Sequence, residues 1–342
     1  MRTIPLCMIG FGNVGQTFAR MLLGKKDALE KDYQINFIIT AMSTGRHGIA
    51  INRNGIDLEK ALHLSENGSS LQVLSKSPSN LSLSEIINQS GAEVMLENTP
   101  VNYASGQPAL DHISTALKAG MYAITANKGA VLHGYQSLTE LALKQHRQFL
   151  FESTVMDGAP IFSLVRKTLP AIKLNGFEGI LNSCTNLLLE RMEEGETLDE
   201  AVNYARSIGI TETDPNGDID GWDAAIKVAL LVNVLMNFPI KLDEVERKGI
   251  RTIQPEDNRT AKNEGRKWKL VCRAERKDGK VMTSVAPEKV SLKSPLYSVS
   301  GTSSFRLFKT DSLPGLGILE SNPGPETTAY GLLSDLLTIY SK

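Results

Sequence analysis

The 342-residue chain has little cysteine, little tryptophan and almost no net charge, with 3 cysteines, 2 tryptophans and a formal charge of −1. Cys7, Cys184 and Cys272 lie far apart and are odd in number, which argues against a disulfide framework and favours thiols in a reducing compartment. The near-neutral charge gives no field that would attract nucleic acid or an anionic membrane. We therefore expect a cytoplasmic protein whose partners are small molecules.

Long apolar runs, internal repeats and low-complexity linkers are missing as well. The longest apolar stretch, 228–236, is too short for a membrane span and contains Asn233. The apolar run at the N-terminus continues directly into a glycine-rich segment, so it does not have the form of a signal peptide. A single hydrophobic core is not expected at this length, because such cores stop growing at about 250–300 residues. The length and the lack of long apolar runs predict two domains and no membrane partner.

The first motif that is present is a glycine-rich turn. The apolar run 5–9 predicts a strand and residues 16–23 predict a helix; between them stand Gly10, Phe11, Gly12, Asn13, Val14 and Gly15. Glycines at this spacing permit a tight turn and let backbone amides approach a pyrophosphate. The motif also occurs in ordinary strand-to-helix turns, but its position at the start of the chain predicts dinucleotide binding.

The second predicted strand, 35–42, is followed by Ser43, Thr44, Gly45, Arg46 and His47 rather than by an acid. An acid there would bind the ribose 2′-hydroxyl, whereas an arginine accommodates a 2′-phosphate. Ser43 and Arg46 are therefore predicted to contact the cofactor, with NADP favoured over NAD. The alternative is that Arg46 is a solvated loop residue and that NAD is used.

Strands and helices alternate through the first part of the chain. A strand at 34–42, a loop-rich insertion to about residue 84, a strand at 93–98, a helix at 107–119 and a strand at 121–125 predict an α/β fold with a doubly wound, Rossmann-type parallel sheet. Two of these strands end in polar residues, at the edge where such sheets bind ligands. Predicted site residues at this edge are Asn98, Thr99, Pro100 and Lys128, although Lys128 also fits a capping loop lysine.

The predicted order of helices and strands changes after residue 150. Helices are predicted at 161–168, 185–193 and 198–207, and strands at 268–276, 281–285 and 305–308. We therefore predict a dinucleotide-binding domain at 1–150 and an α+β catalytic and dimerisation domain at 151–322. A last helix, 327–340, begins after a proline- and glycine-rich turn, and residues from about 323 to 342 are expected to return to the first domain. Amides near Gly324 would then face the cofactor.

The segment 210–231 contains five carboxylates and one lysine around the start of an apolar helix. Asp223 and Lys227 are four residues apart and share one helix face. The other acids are Glu212, Asp214, Asp218 and Asp220, in a turn with Pro215, Gly217 and Gly221. One interpretation is an acidic helix cap with a solvated ion pair. The other is a semi-buried Lys227 that transfers a proton, because its sequence neighbours are apolar.

Together these segments resemble the homoserine dehydrogenase family over nearly the whole chain. The matching segments, in order, are GFGNVG, TANKGAV, FESTVMDGAP, GILNSCTN, GITETDPNGDIDGWDAAIK and PGPETTA. The acidic segment with its lysine is the most specific of them. The resemblance implies reversible reduction of L-aspartate 4-semialdehyde to L-homoserine with NAD(P)H, a step of threonine and methionine biosynthesis. It also implies a homodimer, in a short form without a C-terminal regulatory domain.

The resemblance also implies roles for individual residues. Lys227 would transfer the proton, and Lys128 would stabilise negative charge on the reacting oxygen. Asp223 would orient the reacting hydroxyl, and Glu212 would hold the α-ammonium group. The remaining implied contacts are Asp218 with the substrate, Gly209 and Gly324 with the cofactor, and Glu152, Val155, Asp157 and Ala159 with a monovalent cation such as sodium or potassium.

Three stretches depart from the family pattern, and one of them is the turn 321–324, which replaces a more glycine-rich turn at the cofactor. Ser183 and Asp157 each stand where the family usually has glycine. These differences leave open a related dehydrogenase that acts on another small amino acid or aldehyde. A non-catalytic nucleotide-binding protein on the same fold is the more distant alternative, since Lys227 and its acids are all present.

Overall fold

The computed structural model describes residues 1–76, 81–211 and 214–340. The chain forms two compact units, Met1–Pro160 with Gly324–Lys342, and Ile161–Pro323. The expected boundary at residues 150 and 151 is therefore wrong by ten residues. The segment 151–160 belongs to the first unit because it bonds to the last helix: the Glu152 amide donates to Asp335 and the Ser153 hydroxyl donates to the Thr328 carbonyl, both at 2.8 Å.

The strands and helices are numbered in chain order. The strands are β1 Arg2–Ile9, β2 Ile35–Thr44, β3 Gly48–Ile51, β4 Val94–Glu97, β5 Tyr122–Thr125, β6 Phe149–Leu150, β7 Leu174–Ile180, β8 Glu246–Arg247, β9 Arg266–Lys277, β10 Lys280–Ser291, β11 Ser304–Thr310 and β12 Leu316–Glu320. The α-helices are α1 Asn13–Gly24, α2 Lys26–Tyr33, α3 Leu58–Glu66, α4 Leu83–Gln89, α5 Ala109–Lys118, α6 Lys128–Lys144, α7 Ser183–Glu193, α8 Leu198–Ser207, α9 Asn216–Ile219, α10 Trp222–Leu235, α11 Pro255–Asn263 and α12 Pro325–Tyr340.

The first unit contains, within the described residues, a six-stranded sheet in the order β3-β2-β1-β4-β5-β6. All neighbours pair in parallel except β3, which is antiparallel to β2. The predicted doubly wound α/β fold is thus confirmed. The predicted loop-rich insertion is wrong, since it holds β3, α3 and a 3₁₀ helix at Leu71–Leu74, and α4 follows at its end. These elements are short, and α3 and α4 begin at the side-chain caps Asp57 and Ser82.

The core of the first unit forms around the central strand β1. Ile4, Leu6 and Met8 are fully buried, as expected for a parallel strand that is covered on both faces. The C-terminal helix α12 closes this core with the apolar side chains of Ala329, Leu332, Leu333 and Leu336, which cluster with residues of β1 and α1. Full burial of one leucine contributes about 1.5–3 kcal/mol, so α12 is an integral part of the first unit.

The second unit has a sheet in the order β12-β11-β7-β9-β10-β8 among the described residues. Its neighbours pair antiparallel, except β8 with β10. The helix predicted at 161–168 is a π-helix over Leu164–Thr168. Within the described part of the chain, no helix combines the length and apolar character needed to span a bilayer.

The three cysteines are free and buried. Burial raises the pKa of the Cys7 and Cys272 thiols to about 12. Burial, reinforced by the charge of Asp218, also raises the pKa of Cys184. Such thiols are poor nucleophiles at neutral pH, because the thiolate is the reactive form. We therefore assign the cysteines no chemistry.

Candidate active site

The glycine-rich turn between β1 and α1 is held against the ends of β2 and β4. The amides of Gly10 and Phe11 donate to the Ser43 carbonyl at 2.9 and 3.2 Å. Gly10 has φ +100°, and a Cβ there would lie 2.5 Å from the backbone of Asn98. A Cβ on Gly15 would lie 2.5 Å from the Gly10 carbonyl oxygen. These two glycines are therefore required by the turn itself and by its packing.

Gly12 differs from the other two glycines because a Cβ there would meet nothing within 4 Å. It is also the N-cap of α1, and no side chain caps the helix. The first-turn amides of Asn13 and Val14 therefore meet an open surface at the positive end of the helix. Both observations fit the pyrophosphate of a dinucleotide, which uses such amides and needs a close backbone approach.

The side-chain amide of Asn98 provides a further indication of a ligand. Both of its polar atoms are buried and have no hydrogen-bond partner among the described residues. A buried polar group without a partner costs about 1–3 kcal/mol, and such a group next to Gly10 fits a site that a cofactor completes. The residues present therefore fit the nicotinamide dinucleotide that the sequence predicts.

Ser43 and Arg46 lie where β2 turns back into β3. The Thr44 hydroxyl oxygen accepts from the amides of Arg46 and His47, at 3.0 Å in both cases. This turn fixes the backbone of Arg46 and leaves its side chain exposed. Within the part of the chain that the structure describes, the Arg46 guanidinium has no ion-pair partner, so it is available to an anion.

The two polar strand ends predicted to form the ligand edge are brought together. Asn127 is the N-cap of α6, and its side-chain nitrogen donates to the carbonyls of Thr99 at 3.1 Å and Pro100 at 3.3 Å. Lys128 does not end the strand or lie in a loop, as the sequence suggested, because it is the first residue of α6. It is half-buried beside this edge.

The loop 152–159 packs against the start of α12. Glu152 is buried, and Met156 and Asp157 have φ values of 55° and 46°. The Asp157 carboxylate accepts from the Thr328 hydroxyl at 2.9 Å, and the Ala159 amide donates to the Met156 carbonyl at 2.8 Å. Val155 is fully buried. The described residues contain no cluster of three metal-binding side chains, so a cation here would depend on one carboxylate and backbone carbonyls.

Two glycines assigned to the cofactor lie at helix ends. Gly324 precedes α12, and its amide donates to the Thr327 hydroxyl at 2.9 Å. Gly209 belongs to the second unit, follows α8 and has φ +73°. Contact of these two glycines with the cofactor remains a prediction.

In the second unit, Lys227 and Asp223 form a largely buried ion pair on α10. Their Nζ and Oδ2 atoms are 2.7 Å apart, and the side chains are only 14% and 12% exposed. The helix begins after Gly221, which has φ +78°. The predicted i,i+4 pair is therefore present, but not on a solvated face.

The Lys227 ammonium group also donates to the Leu181 carbonyl at 2.7 Å. Two of its three N–H groups thus have partners among the described residues. These partners fix the nitrogen atom and leave one N–H for a substrate oxygen.

Asn182 links the acids of this site and was not recognised from the sequence as a functional residue. Its side-chain nitrogen donates to Asp218 at 2.6 Å and to Asp223 at 3.0 Å. Its side-chain oxygen accepts from the Thr185 amide at 2.8 Å, so the same residue caps α7. The signal that could have revealed it is an asparagine just before the helix predicted at 185–193, a usual helix-capping position.

The remaining acids of the segment have other partners. Asp220 pairs with Arg251 at 2.5 Å and raises the pKa of that guanidinium by hydrogen bonding to it. The Asp214 carboxylate accepts from the Asn216 amide at 3.0 Å. Glu212 lies outside the described residues. Of the acids that the structure describes, only Asp223 pairs directly with Lys227.

Ser183, the departure in the substrate motif, is the first residue of α7. Its hydroxyl lies 3.3 Å from that of Ser304 on β11. The extra side chain therefore bonds within the fold and lies beside Asn182 in the chain.

A second buried lysine, Lys269 on β9, lies behind α7. Its ammonium nitrogen donates to Asn186 at 2.7 Å and to the Val299 carbonyl at 2.6 Å. Burial lowers its pKa to about 8. Between about pH 8 and 10.5 the unfolded chain binds this proton and the folded chain does not, so the group favours folding more strongly as the pH rises.

The rise in stability with pH that Lys269 should cause can be measured. The free energy of unfolding of the wild type, relative to Lys269→Met, should increase by about 3 kcal/mol from pH 7.5 to pH 11. Denaturant unfolding at a series of pH values measures it. The exposed Lys280→Met in the next strand is the matched control and should show no such change. A flat difference for Lys269→Met would contradict the assignment.

Comparison with known proteins agrees with this geometry. The family model described as homoserine dehydrogenase matches residues 160–337, and the homoserine dehydrogenase NAD-binding domain matches residues 10–152. A homoserine dehydrogenase of Methanocaldococcus jannaschii is 36% identical over 339 residues, which cover 99% of each chain. An NAD(+)-dependent homoserine dehydrogenase of Pseudomonas canavaninivorans is 30% identical over 99% of this chain and 97% of its own.

Solved structures give the same result. A putative homoserine dehydrogenase of Archaeoglobus fulgidus superposes with a TM-score of 0.87 at 27% identity, covering 99% of this chain and 100% of its own. A hyperthermophilic archaeal homoserine dehydrogenase in complex with NADPH has a TM-score of 0.83 at 28% identity, covering 99% and 98%. The chain therefore belongs to the homoserine dehydrogenase family, the nicotinamide-dependent oxidoreductases that interconvert L-homoserine and L-aspartate 4-semialdehyde.

Proposed function

We propose that Lys227 is the proton donor when L-aspartate 4-semialdehyde is reduced, and the proton acceptor when L-homoserine is oxidised. A bound nicotinamide supplies or accepts the hydride at the carbonyl carbon. The observation that carries the proposal is the placement of the ammonium nitrogen at 2.7 Å from both Asp223 and the Leu181 carbonyl. Its third N–H would bond to the aldehyde oxygen and transfer its proton as negative charge develops there.

The other polar residues of the second unit would orient this proton transfer. Asp223 holds the Lys227 nitrogen and would accept a hydrogen bond from the reacting hydroxyl. Asn182 fixes Asp223 and Asp218 together through one amide nitrogen. We retain the assignment of Asp218 to substrate binding and of Glu212 to the α-ammonium group.

In the first unit, Lys128 would add positive charge near the developing alkoxide. Its position at the first residue of α6 supports this role, because the amides of a helix start add to the same field. Asn98, Thr99 and Pro100 would contact the nicotinamide half of the cofactor, and residues 10–15 its pyrophosphate.

We also propose that NADPH is preferred over NADH, on the exposed Arg46 side chain after β2. The relatives leave both cofactors open, since one is named NAD(+)-dependent and another is in complex with NADPH. Arg46→Ala should weaken NADPH binding by about 1.5–3 kcal/mol, the range for a hydrogen bond to a charged group, with little change for NADH. Fluorescence titration with each cofactor measures both affinities. Equal losses would remove Arg46 from the phosphate site.

The substrate assignment has its own test. With NADP⁺ at alkaline pH, L-homoserine should be oxidised, whereas 4-hydroxybutyrate and 1,4-butanediol should react poorly, because they leave the carboxylate expected at Glu212 without a cation. Steady-state rates on these alcohols and a panel of amino alcohols decide it. No rate on L-homoserine with a good rate on another amino alcohol would favour the alternative dehydrogenase, for which the Ser183 departure is the motive.

Three further proposals concern the surroundings of the site. A monovalent cation would bind the loop 152–159 through Glu152 and the carbonyls of Val155, Asp157 and Ala159. Reaction rates in sodium, potassium and tetramethylammonium salts test this.

A homodimer is supported by exposed apolar side chains on the second sheet, such as Met282 and Leu319. Light scattering would measure the oligomeric state. The three free thiols support a cytoplasmic location.

A further inference from the structure

Glu97, the last residue of β4, has no part in the roles assigned above, although it lies at the ligand edge of the sheet. Its side chain is fully buried. One carboxylate oxygen accepts from the amide of Thr99 at 3.2 Å and from the hydroxyl of the same residue. The other lies 3.2 Å from the Thr125 hydroxyl, which also donates to the Glu97 backbone carbonyl at 2.9 Å. A buried carboxylate is costly unless such donors surround it.

His112 on α5 completes the surroundings of this carboxylate. Its Nδ1 atom lies 3.3 Å from the Glu97 oxygen that Thr99 also contacts. Glu97 therefore joins three elements, namely the end of β4, the end of β5 and the face of α5.

The contacts continue from Glu97 into a closed cycle. The Thr125 hydroxyl oxygen accepts from the Asn127 amide at 2.9 Å, and the Asn127 side-chain nitrogen donates to the Thr99 carbonyl at 3.1 Å. Thr99 donates back to Glu97. We call these four residues, Glu97, Thr99, Thr125 and Asn127, the Glu97 ring.

We propose that Glu97 is a positioning residue for the dehydrogenase reaction. The ring fixes the spacing between the Thr99–Pro100 backbone, which would contact the cofactor, and Asn127, which directly precedes Lys128. Lys128 is the first residue of α6 and Asn127 is its N-cap, so a shift in the ring shifts the lysine. This inference rests on the proposed roles of Thr99 and Lys128. Misplacement of a reacting group by about 1 Å can cost about 10²-fold in rate.

The decisive experiment compares threonine variants in one sheet. Thr125→Val keeps the shape of the side chain but removes the hydroxyl that links Glu97 to Asn127. The matched control is Thr40→Val, since Thr40 is 1% exposed and its hydroxyl donates to the Leu6 carbonyl at 3.2 Å, outside the Glu97 ring. Thr125→Ser restores the hydroxyl. Each variant is assayed for kcat, for the KM of L-homoserine and for the Kd of NADPH by fluorescence.

Thr125→Val and Glu97→Gln should lower kcat about 10- to 100-fold and raise the Kd of NADPH, with the KM of L-homoserine changed less than about threefold. Thr125→Ser and Thr40→Val should stay within about threefold of wild type in all three. Combining Glu97→Gln with Thr125→Val should cost less than the product of the single losses, because both break one ring.

Two results would overturn the proposal. One is wild-type kcat and NADPH Kd in both Glu97→Gln and Thr125→Val; the other is an equal loss in Thr40→Val, which would indicate a general effect of weakening the sheet. If Glu97→Gln does not fold, the threonine comparison decides alone. Lys128→Ala separates the proposed role of Lys128 from the positioning role of the ring. If Lys128→Ala keeps full kcat while Thr125→Val raises the NADPH Kd, the role of Lys128 is wrong. The positioning of the cofactor loop by the ring is then still supported.

Discussion

Lys227→Ala should lower kcat by at least about 10²-fold, the usual loss when a general acid is removed. The structure gives the reason: the ammonium nitrogen is fixed by two partners at 2.7 Å, Asp223 and the Leu181 carbonyl, and its side chain is only 14% exposed. Water that replaces it would be neither fixed nor positively charged. Stopped-flow and steady-state rates in both directions measure the loss.

The control for this variant is Lys248→Ala, which removes an exposed lysine from the same unit and should keep wild-type rates. NADPH binding, followed by fluorescence, should be nearly unchanged in both variants. Turnover of Lys227→Ala near the wild-type value would show that the proposed proton path is wrong.

Gly12→Ala should raise the Kd of NADPH by roughly 10- to 150-fold, which corresponds to about 1.5–3 kcal/mol for a lost hydrogen bond to a charged group. A methyl group at this position meets nothing within 4 Å in the protein itself. It would instead occupy the surface from which the pyrophosphate approaches the α1 amides. The free energy of unfolding without cofactor should fall by less than about 1 kcal/mol.

Gly10→Ala provides the contrast. Its φ of +100° and the 2.5 Å approach of its Cβ to Asn98 predict a loss of stability of at least about 1–3 kcal/mol from backbone strain, before any cofactor is added. Denaturant unfolding and NADPH titration of the two variants separate the roles. Equal effects of Gly12→Ala and Gly10→Ala on unfolding would contradict the distinction between an open and a packed glycine.

The fold class could be predicted because its signals are local and periodic. The strand before Gly10, the glycine spacing and the polar residues that follow β4 and β5 each depend on a few adjacent residues. The same holds for Lys227 and Asp223, since residues four positions apart on a helix lie on the same face.

What could not be predicted depends on residues that are distant in sequence. Asn182 meets Asp218 across 36 positions and Asp223 across 41, and no local pattern reports such a pairing. In the sequence Glu97 is an ordinary strand residue, and only the fold brings Thr125 and His112 into contact with it. The sequence pairs Asp223 with Lys227, but only the fold shows that Asp220 pairs with Arg251, 31 positions away.

The position of α12 has a consequence for synthesis on the ribosome. The second unit is continuous in sequence, so all of its residues are available before the last helix is made. The first unit cannot complete its core until residues 325–340 emerge, because buried leucines of α12 are part of that core. Arg2 then stacks on the ring of Tyr340 at 4.8 Å, so β1 and α12 meet only after the whole second unit has been made. The inserted unit can therefore fold first, and the cofactor-binding unit last.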